Sequence, residues 1–451
     1  MAEKKITIAG AGLVGSLLSV YLAKRGHKVE IYERRPDARK NLIDGGRSIN
    51  LALSDRGLQA LAKVGLEKRV LEEMAIPMYG RVMHDKEGNL SYQPYGKEGQ
   101  AINSVSRAGL NMLLMDEAEK HGVELHFSQA CDSVNLEDAT AVFRNREGEQ
   151  KEVISDLLFG ADGAFSAVRG VMQKTDRFSY SQEYIDHGYK ELEIPAGPNG
   201  EFLLEKNALH IWPRGNYMLI ALPNPDASFT CTLFFPMDGD PSFASLDSVV
   251  KARAFFEEQF PDALALMPNF DKEWEENPDS SLVIIRCYPW TRNGKVALIG
   301  DASHAIVPFY GQGMNAGFED CFVLDELMEQ MGDNWEDLLK AYEVSRKPDG
   351  DAIADLAMRN FVEMRDLTGD PDFLLQKKIE GRFSAKHPDK WTPLYGLVTF
   401  SPQVRYSDAQ ALGNRQDELM AEIMAMPNIH EIWDSPEVEA KMLELAERLQ
   451  D

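Results

Sequence analysis

The sequence predicts an α/β fold with three parts: a Rossmann-like domain, an antiparallel-sheet domain and a helical C-terminal region. Three observations support this prediction. Residues 5–33 read as an apolar strand, a glycine-rich turn, an apolar helix and a second strand. Short β-runs punctuated by proline and glycine occupy residues 184–287, and the pattern from Phe322 onward is helical.

The opening unit contains Gly10, Gly12 and Gly15 in the G-x-G-x-x-G spacing. The first glycine allows a tight turn, the second lets the backbone approach a pyrophosphate, and the third allows close packing of helix and strand. A pyrophosphate is favoured at the helix N-terminus because free N–H groups and the helix dipole attract an anion there. Glu33 ends the second strand, where its carboxylate can accept hydrogen bonds from an adenosine ribose. The unit therefore predicts dinucleotide binding.

A membrane-anchor interpretation of the same apolar stretch, Ile6 to Ala23, is disfavoured by its three glycines and by the strand that follows closely. No later stretch has the length of a membrane span. We therefore expect no membrane association.

The composition narrows the classes of partner. The 451 residues are enough for two or three structural units. With 48 basic and 73 acidic residues, the formal net charge of −25 disfavours nucleic acid and anionic membranes as partners. The four cysteines are widely spaced, which favours buried thiols in a reducing cytoplasm over disulfides or zinc ligands. We expect a cytoplasmic protein without a metal ion.

A charged, glycine-rich loop follows the opening unit. Two interpretations stay open for it: Arg47 and Asn50 contact polar atoms of a cofactor, or the segment is a surface loop. Residues 79–95 then read as a strand pair that carries Arg81 and Tyr95.

Residues 156–170 repeat the strand–turn–helix pattern of the opening unit. Asp162 lies in the turn. Its carboxylate either reaches a ribityl or phosphate-side group of the cofactor or caps the helix that follows. Both interpretations stay open on the sequence alone.

Residues 295–321 return to the first domain. A buried strand ends at Asp301, whose carboxylate can hold a ribityl hydroxyl. A glycine-rich turn then precedes a helix, and the backbone N–H groups of Met314 and Asn315 are placed to bind a flavin's pyrimidine edge. His304 is a candidate base, although a lone histidine in such a stretch is more often structural.

The predicted domains are discontinuous. The cofactor domain comprises residues 1–75, 98–180 and 288–330, the substrate domain residues 76–97 and 181–287, and the helical region residues 331–451. One face of the antiparallel sheet is rich in aromatic residues, for example Trp212, Phe234 and Phe235. Such a face is usually core, and only its position beside the cofactor domain makes it a candidate pocket wall.

The order of the glycine fingerprint, the Asp162-Gly163 stretch and the Gly300-Asp301 stretch resembles the single-component flavoprotein aromatic hydroxylases. Further segments resemble the branch of that family that hydroxylates L-kynurenine: RSINLALSDRGLQAL, SVSRAGLN, LHIWPRG, FTCTLFFP, HAIVPFYGQGMNAGFEDC, NFVEMR and PLYGLVTFS. They extend from about Lys5 to Ser401. Beyond that point the resemblance is thin, and the hydrophobic membrane segments of eukaryotic members have no counterpart here.

The resemblance implies FAD as the cofactor, with NADPH as a hydride donor that binds transiently rather than in a second nucleotide domain. It implies a flavin C4a-hydroperoxide that converts L-kynurenine to 3-hydroxy-L-kynurenine, a step of tryptophan catabolism by the kynurenine route. The substrate's own amino group activates its ring, so we expect no catalytic acid or base from the protein. The chain would hold the ring near the flavin and exclude water.

The resemblance also implies individual contacts by position. The implied FAD contacts are Val14, Tyr32, Glu33, Arg34, Arg35, Ala52, Arg107, Cys131, Asp301, Met314 and Asn315. The implied substrate contacts are Arg81, Tyr95, Asn360 and Tyr395, of which Arg81 can make a bidentate pair with the α-carboxylate. Pro308, Phe309 and Phe234 are candidate apolar walls.

Some alternatives stay open. A flavin hydroxylase of another aromatic acid would share the FAD stretches without needing an amino-acid clamp. A non-catalytic FAD-binding protein would show no substrate-stimulated oxidation of NADPH. The segment from Ser401 to Asp451 either covers the substrate side of the flavin or serves as a packing or dimerisation element.

Overall fold

A computed structural model describes residues 2–40, 50–367 and 370–449. These residues form an α/β structure with four β-sheets, followed by a helical C-terminal region, which confirms the predicted fold class. Arg47, one of the two candidate cofactor contacts in the glycine-rich loop, lies outside the described residues.

The strands are, in chain order, β1 (Lys5–Ala9), β2 (Lys28–Glu33), β3 (Asn50–Leu53), β4 (Ala75–Met78), β5 (Gly80–His84), β6 (Leu90–Pro94), β7 (Ile102–Ser106), β8 (Glu124–Phe127), β9 (Ala130–Asn135), β10 (Thr140–Arg144), β11 (Gln150–Val153), β12 (Leu157–Gly160), β13 (Ser179–Ile194), β14 (Ala208–Pro213), β15 (Met218–Pro223), β16 (Phe229–Pro236), β17 (Ser280–Tyr288), β18 (Thr291–Arg292) and β19 (Val296–Leu298).

The α-helices are α1 (Leu13–Lys24), α2 (Asp55–Val64), α3 (Glu67–Glu73), α4 (Arg107–Lys120), α5 (Ala167–Met172), α6 (Val249–Gln259), α7 (Pro261–Leu264), α8 (Phe270–Glu276), α9 (Asp301–His304), α10 (Gly313–Met331), α11 (Trp335–Val362), α12 (Pro371–Lys386), α13 (Leu394–Thr399), α14 (Tyr406–Met424), α15 (Ile429–Ile432) and α16 (Pro436–Glu447). A 3₁₀ turn, Pro308–Tyr310, precedes α10, and a π-helical segment, Glu363–Leu367, follows α11.

The six-stranded sheet has the order β18-β19-β12-β1-β2-β8, and all its pairs except β18·β19 are parallel. The carboxyl ends of parallel neighbours meet at one edge of a sheet, so the turns after β1, β12 and β19 come together there. These turns carry Gly10, Asp162 and Asp301. The edge is therefore where the predicted cofactor residues converge.

The seven-stranded sheet has the order β17-β13-β16-β15-β14-β5-β6. Strand β5 pairs in parallel with β14, which places Arg81 opposite Leu209. Strand β6 pairs with β5, and Tyr95 follows its last residue. The sheet thus incorporates the strand pair from residues 79–95, whereas the predicted domain boundaries stay predictions.

The prediction of strands alone over residues 184–287 was wrong for residues 249–276, which form α6, α7 and α8. These helices cover one face of the seven-stranded sheet. Phe256, Phe270 and Trp274 from them lie in one apolar cluster with Trp212 and Phe235 of the sheet. The sequence signal was weak because the three helices are short and interrupted, so the aromatic pattern was attributed to the sheet.

The C-terminal region consists of α11 to α16. Helix α11 is continuous, with Pro348 inside it. Helices α12, α14 and α16 share a separate apolar cluster that includes Phe383, Met420 and Met442. Within the described ranges, no helix combines the length and apolarity that a bilayer crossing requires.

Candidate active site

The glycine turn between β1 and α1 forms a cradle. Gly10 has φ +104°, and a Cβ there would lie 2.5 Å from the carbonyl oxygen of Ala161. At Gly15 a Cβ would lie 2.1 Å from the carbonyl oxygen of Gly10, so helix and strand could not approach as they do. A Cβ at Gly12 would meet nothing within 4 Å. The open side of the turn is therefore at Gly12 and the N-terminus of α1, which fits a pyrophosphate.

Glu33 ends β2 and is buried. Its Oε2 accepts a hydrogen bond from the Ala11 N–H at 2.9 Å, and its Oε1 accepts from the backbone and Nε of Arg35, both at 2.9 Å. Burial alone would raise the pKa of Glu33, but Arg35 and the Ala11 N–H hold it below its ordinary value. The carboxylate is therefore ionised and acts only as an acceptor, as a ribose contact requires. Arg34 and Arg35 are both exposed.

Asp162 has one bonded and one unbonded oxygen. Its Oδ2 accepts from the backbone N–H of Ala167 at 2.7 Å and of Val168 at 3.3 Å, at the start of α5. Its Oδ1 is buried and has no hydrogen-bond partner among the described residues. The capping interpretation is confirmed for one oxygen. The second oxygen is an unsatisfied buried acceptor, which fits a hydroxyl of a bound cofactor.

Three further predicted FAD contacts lie near the same edge of the sheet. Cys131 is half-buried on β9, and burial raises the pKa of its thiol to about 12, so the side chain is neutral. Asp301 is exposed at the start of α9. A Cβ at Gly300 would lie 3.1 Å from Val14 Cγ2, so the turn before Asp301 lies against α1.

Two other predicted contacts, Tyr32 and Arg107, occupy different environments. The buried ring of Tyr32 stacks on His126 at 4.5 Å and on Phe143 at 4.0 Å, so its side chain is part of the core. Arg107 is exposed in the first turn of α4, one turn before Asn111, whose Nδ2 donates to the carbonyl oxygen of Ala11 at 3.1 Å. Arg107 is therefore close to the glycine turn.

Met314 and Asn315 lie in the first turn of α10. The Ala316 N–H donates to the Gln312 carbonyl oxygen, which leaves the N–H groups of the two preceding residues outside the helical ladder. The Asn315 side chain donates to the carbonyl oxygens of Ala52 and Gly311, both at 2.8 Å. It fixes β3 and the preceding turn against α10, and the binding of a flavin by the backbone N–H groups of Met314 and Asn315 stays a prediction.

The predicted substrate residues Arg81, Tyr95 and Tyr395 form one cluster. The Arg81 guanidinium lies 5.0 Å from the Tyr95 ring centroid and 4.8 Å from that of Tyr395. The two rings stack at 5.6 Å, and Tyr310 stacks on the other side of Tyr395 at 5.5 Å. Two segments distant in sequence meet here: the β5–β6 strand pair with the residue that follows it, and α13.

The charge of Arg81 has no counter-ion in the cluster. Among residues 2–40, 50–367 and 370–449, no carboxylate forms an ion pair with Arg81, and its buried Nε has no hydrogen-bond partner. Burial raises the pKa of Tyr95, so the phenol is neutral and can donate a hydrogen bond. A guanidinium beside two stacked tyrosines with no acidic partner is suited to a ligand carboxylate.

The apolar wall residues lie next to this cluster. Phe309 contacts Phe234 at 4.9 Å and stacks on Phe361 at 4.2 Å between ring centroids. All three rings are buried, whereas Pro308 is exposed. Phe309 precedes Tyr310 in the 3₁₀ turn, so the wall and the clamp are parts of one continuous structure.

Asn360 is buried on α11, and its amide group has partners in the protein. Nδ2 donates to the carbonyl oxygen of Phe309 at 2.7 Å and lies 3.3 Å from Sδ of Met364. The contact that the structure describes for Asn360 is therefore with the wall turn. A direct contact between Asn360 and a substrate carboxylate stays a prediction.

His304, the candidate base, is buried, with Nε2 2.5 Å from Oδ2 of Asp320. Asp320 Oδ2 also accepts the Gly300 N–H at 3.1 Å. The structural interpretation of this histidine is therefore the one the contacts favour.

Sequence reasoning missed Tyr310 and Phe361 as members of the site. The position of Tyr310, next to Phe309 in the same turn, was a signal that could have indicated it.

Comparisons with known proteins identify the family of this chain. The family described as FAD binding domain matches residues 3–197 and 286–357. The chain is 53% identical to the kynurenine 3-monooxygenase of Flavobacterium johnsoniae, covering 98% of this chain and 99% of that protein. It is 52% identical to the enzyme of that name from Myxococcus xanthus (93% and 90% covered) and 45% identical to that of Dictyostelium discoideum (94% of each).

Two solved structures share the fold. A 2-methyl-3-hydroxypyridine-5-carboxylic acid oxygenase superposes with a TM-score of 0.68 at 21% identity, covering 82% of this chain and 94% of the other. PqsL of Pseudomonas aeruginosa, solved with 2-aminobenzoylacetate, gives 0.64 at 18% identity, covering 81% and 97%. The match of the FAD binding domain over more than half of the sequence, and the full-length relatives at about half identity, lead to one assignment: the chain belongs to the kynurenine 3-monooxygenase family of FAD-binding monooxygenases.

Proposed function

We propose that this protein is an FAD-dependent monooxygenase that hydroxylates L-kynurenine to 3-hydroxy-L-kynurenine with NADPH and O₂. The observation that carries the substrate assignment is Arg81, a guanidinium beside Tyr95 and Tyr395 with no acidic partner in the described structure. The family names of the full-length relatives support the same reaction.

The residues around the glycine turn fit FAD. Gly12 and the start of α1 would hold the pyrophosphate, and Glu33 would bind the ribose. Asp162 and Asp301 would bind polar groups of the ribityl chain. The N-terminus of α10 would contact the flavin ring. When bound, FAD supplies the activation of O₂ and the transfer of one oxygen atom to the aromatic ring. The chain's own task is to bind, orient and shield the substrate.

Arg81 would bind the α-carboxylate of L-kynurenine. The planar fork of arginine matches the two oxygens of a carboxylate, and the neutral phenol of Tyr95 can donate a further hydrogen bond. Burying a carboxylate without such partners costs several kcal/mol. An aromatic compound without this carboxylate should therefore bind much more weakly.

The phenyl rings of Phe234 and Phe309 would contact the substrate's aromatic ring. Both are buried, and Phe309 lies in the turn directly before the N-terminus of α10. The predicted flavin-contacting donors and the predicted apolar wall are therefore separated by only a few residues. This arrangement holds the ring of the substrate beside the flavin and excludes water, which would otherwise release peroxide.

NADPH is proposed as a co-substrate that meets the flavin transiently. The sequence has one glycine fingerprint, and it belongs to the FAD-binding unit. The cytoplasmic location stays a prediction from the cysteine pattern.

The test is NADPH consumption by the purified FAD-loaded protein with and without L-kynurenine, with the product identified by mass. We expect consumption to rise with L-kynurenine and the product to gain one oxygen atom. A matched arm with anthranilate, an aromatic acid that has no α-amino acid group, should give little stimulation. Stronger stimulation by anthranilate would assign another aromatic acid as substrate, and no stimulation by any aromatic acid would favour a non-catalytic FAD-binding protein.

A further inference from the structure

Arg56 is a buried arginine on α2 and is not one of the predicted site residues. Only 1% of the surface of Arg56 is exposed. Its guanidinium donates hydrogen bonds to backbone carbonyl oxygens at and just after the end of α13. Nε donates to the Val398 carbonyl oxygen at 2.7 Å. Nη2 lies within hydrogen-bonding distance of three further carbonyl oxygens, those of Leu397 (3.2 Å), Ser401 (3.3 Å) and Val404 (2.5 Å).

The remaining contacts of Arg56 connect it to α10 and α14. Nη1 donates to Oε1 of Glu319 on α10 at 2.6 Å. The guanidinium also lies 4.0 Å from the ring centroid of Tyr406, the first residue of α14. The Tyr406 hydroxyl donates to Oε1 of Gln312, the residue that precedes α10, at 2.9 Å. Arg56 therefore joins the helix at the flavin side to the C-terminal chain.

Helix α13 needs such a partner. It has only six residues, and a helix that short is not stable in isolation. The carbonyl groups of its last turn accept no hydrogen bond from within the helix. A cation with N–H donors at that end can bond to them, and its charge interacts favourably with the negative end of the helix dipole. Arg56 supplies the charge and the donors from α2, a distant part of the chain.

Helix α13 also carries Tyr395. The Tyr395 ring lies between Tyr95 and Tyr310 and 4.8 Å from the Arg81 guanidinium. A displacement of α13 would move this ring relative to Arg81. The position of one side of the clamp is thus determined by the end of α13, and the end of α13 is held by Arg56.

We propose that Arg56 is a positioning residue for substrate binding: it fixes α13 so that Tyr395 completes the carboxylate clamp around Arg81. This inference rests on the proposed function, since it assumes that the ligand of the clamp is the α-carboxylate of L-kynurenine. Arg56 itself contacts neither the clamp residues nor the predicted FAD residues in any hydrogen bond of the described structure.

The first test compares Arg56→Lys with Arg25→Lys in the purified FAD-loaded protein. Lysine keeps the charge opposite Glu319 but cannot reach several carbonyl groups at once. We expect the dissociation constant of L-kynurenine to rise about ten- to a hundredfold, because small displacements of a binding group have effects of that size. FAD content should not change, and KM should change much more than kcat.

Arg25 is the matched control. It also pairs with a carboxylate of α10, Asp325, and with a backbone carbonyl oxygen, but on the part of that helix that follows Glu319. Arg25→Lys should lower thermal stability without changing the affinity for L-kynurenine. Equal affinities of Arg56→Lys, Arg25→Lys and the parent for L-kynurenine would overturn the inference.

The second test asks whether Arg56 acts through Tyr395. If it does, Arg56→Lys should add no further loss of affinity in a Tyr395→Ala background, whereas independent effects would multiply. The affinity for a kynurenine analogue that lacks the α-carboxylate should be nearly the same in the parent and in Arg56→Lys. Multiplicative losses, or an equal loss for the analogue, would assign Arg56 a general structural role.

If Arg56→Lys does not yield folded protein, Tyr406→Leu and Tyr406→Phe provide the same comparison. Phenylalanine keeps a ring beneath the guanidinium and leucine removes it, while both lose the bond to Gln312. We expect the leucine variant alone to lose affinity for L-kynurenine, and equal affinities would overturn the inference. Failure of the parent to bind L-kynurenine would instead overturn the proposed function.

Discussion

Nδ2 of Asn360 donates a hydrogen bond of 2.7 Å to the carbonyl oxygen of Phe309. This bond joins α11 to the 3₁₀ turn that carries both the apolar wall and Tyr310. It explains why a polar residue is buried beside an aromatic cluster that contains Phe309 and Phe361. The turn is thereby held between the predicted flavin site and the carboxylate clamp.

Replacing Asn360 with leucine should loosen this turn. The Phe309 carbonyl oxygen would lose its buried donor, which costs about 1–3 kcal/mol of the free energy of unfolding. We expect more peroxide per hydroxylated product, and a similar loss of affinity for L-kynurenine and for its analogue without the carboxylate. A loss confined to L-kynurenine would indicate instead that Asn360 binds the carboxylate directly.

Replacing Arg81 with alanine should impair substrate binding and leave FAD content unchanged. Loss of a buried, charge-assisted pair costs about 2–5 kcal/mol, or roughly 30- to several-thousand-fold in the dissociation constant of L-kynurenine. Arg81→Lys should restore only part of the affinity for L-kynurenine, since lysine lacks the planar fork of arginine. Arg253→Ala, at a half-buried position of α6 outside the clamp, is the control and should bind normally. Unchanged binding by Arg81→Ala would show that the clamp assignment is wrong.

Replacing Glu33 with alanine should weaken the retention of FAD. The change removes the ribose acceptor and also leaves the Ala11 N–H without its partner, with an effect of roughly 1–3 kcal/mol. FAD content after gel filtration is the measurement. Glu30→Ala is the control on the same strand, because Glu30 bonds the Tyr32 hydroxyl and Lys5 rather than the glycine turn. Full FAD retention by Glu33→Ala would contradict the assignment.

His304 should make stability depend on pH. Burial opposes its charge, but the contact with Asp320 outweighs this and raises its pKa above the ordinary value; Arg346 and Asp301 also act on it, with opposite signs. A histidine whose pKa is raised by folding contributes its full stabilisation at pH values below its unfolded pKa of about 6.5. This contribution to the free energy of unfolding is lost as the pH rises through the folded pKa. The measurement is the free energy of unfolding from pH 5 to pH 9, for which the difference between the parent and His304→Gln should shrink as the pH rises. A difference that does not vary with pH would mean that the pKa of His304 is the same in the folded and unfolded states, and a difference that grows as the pH rises would mean that His304 is neutral in the folded protein.

Removing the chain after Asp434 should lower stability without changing coupling. Helix α16 contributes four buried apolar side chains, Val438, Met442, Leu445 and Ala446, to the cluster it shares with α12 and α14. The truncated protein should therefore unfold at a lower temperature while its peroxide yield per hydroxylated product stays at the parent level. A higher peroxide yield from a truncated, FAD-loaded protein would support the alternative that the C-terminal segment covers the substrate side.

Local sequence was sufficient for the glycine turn. Gly10 needs a positive φ, and Gly15 needs the absence of a Cβ, so the residues themselves predict the tight turn between β1 and α1. The start of α10 was predicted for a similar reason, because a glycine-rich turn and a helical pattern are properties of adjacent residues.

The sequence by itself thus determined the opening unit, the fold class and, through its resemblance to a known family, which residue types to examine. Only the tertiary structure decided that Arg81 lies beside both Tyr95 and Tyr395, since this depends on the pairing of β5 with β14 and on the return of α13 to the sheet. It also decided that Asn360 binds the Phe309 turn and that Arg56 holds the end of α13. Most of these contacts join residues from 51 to 342 positions apart, and no local preference of backbone or side chain encodes them. They exist because apolar burial and the pairing of buried polar groups are satisfied together across the whole fold.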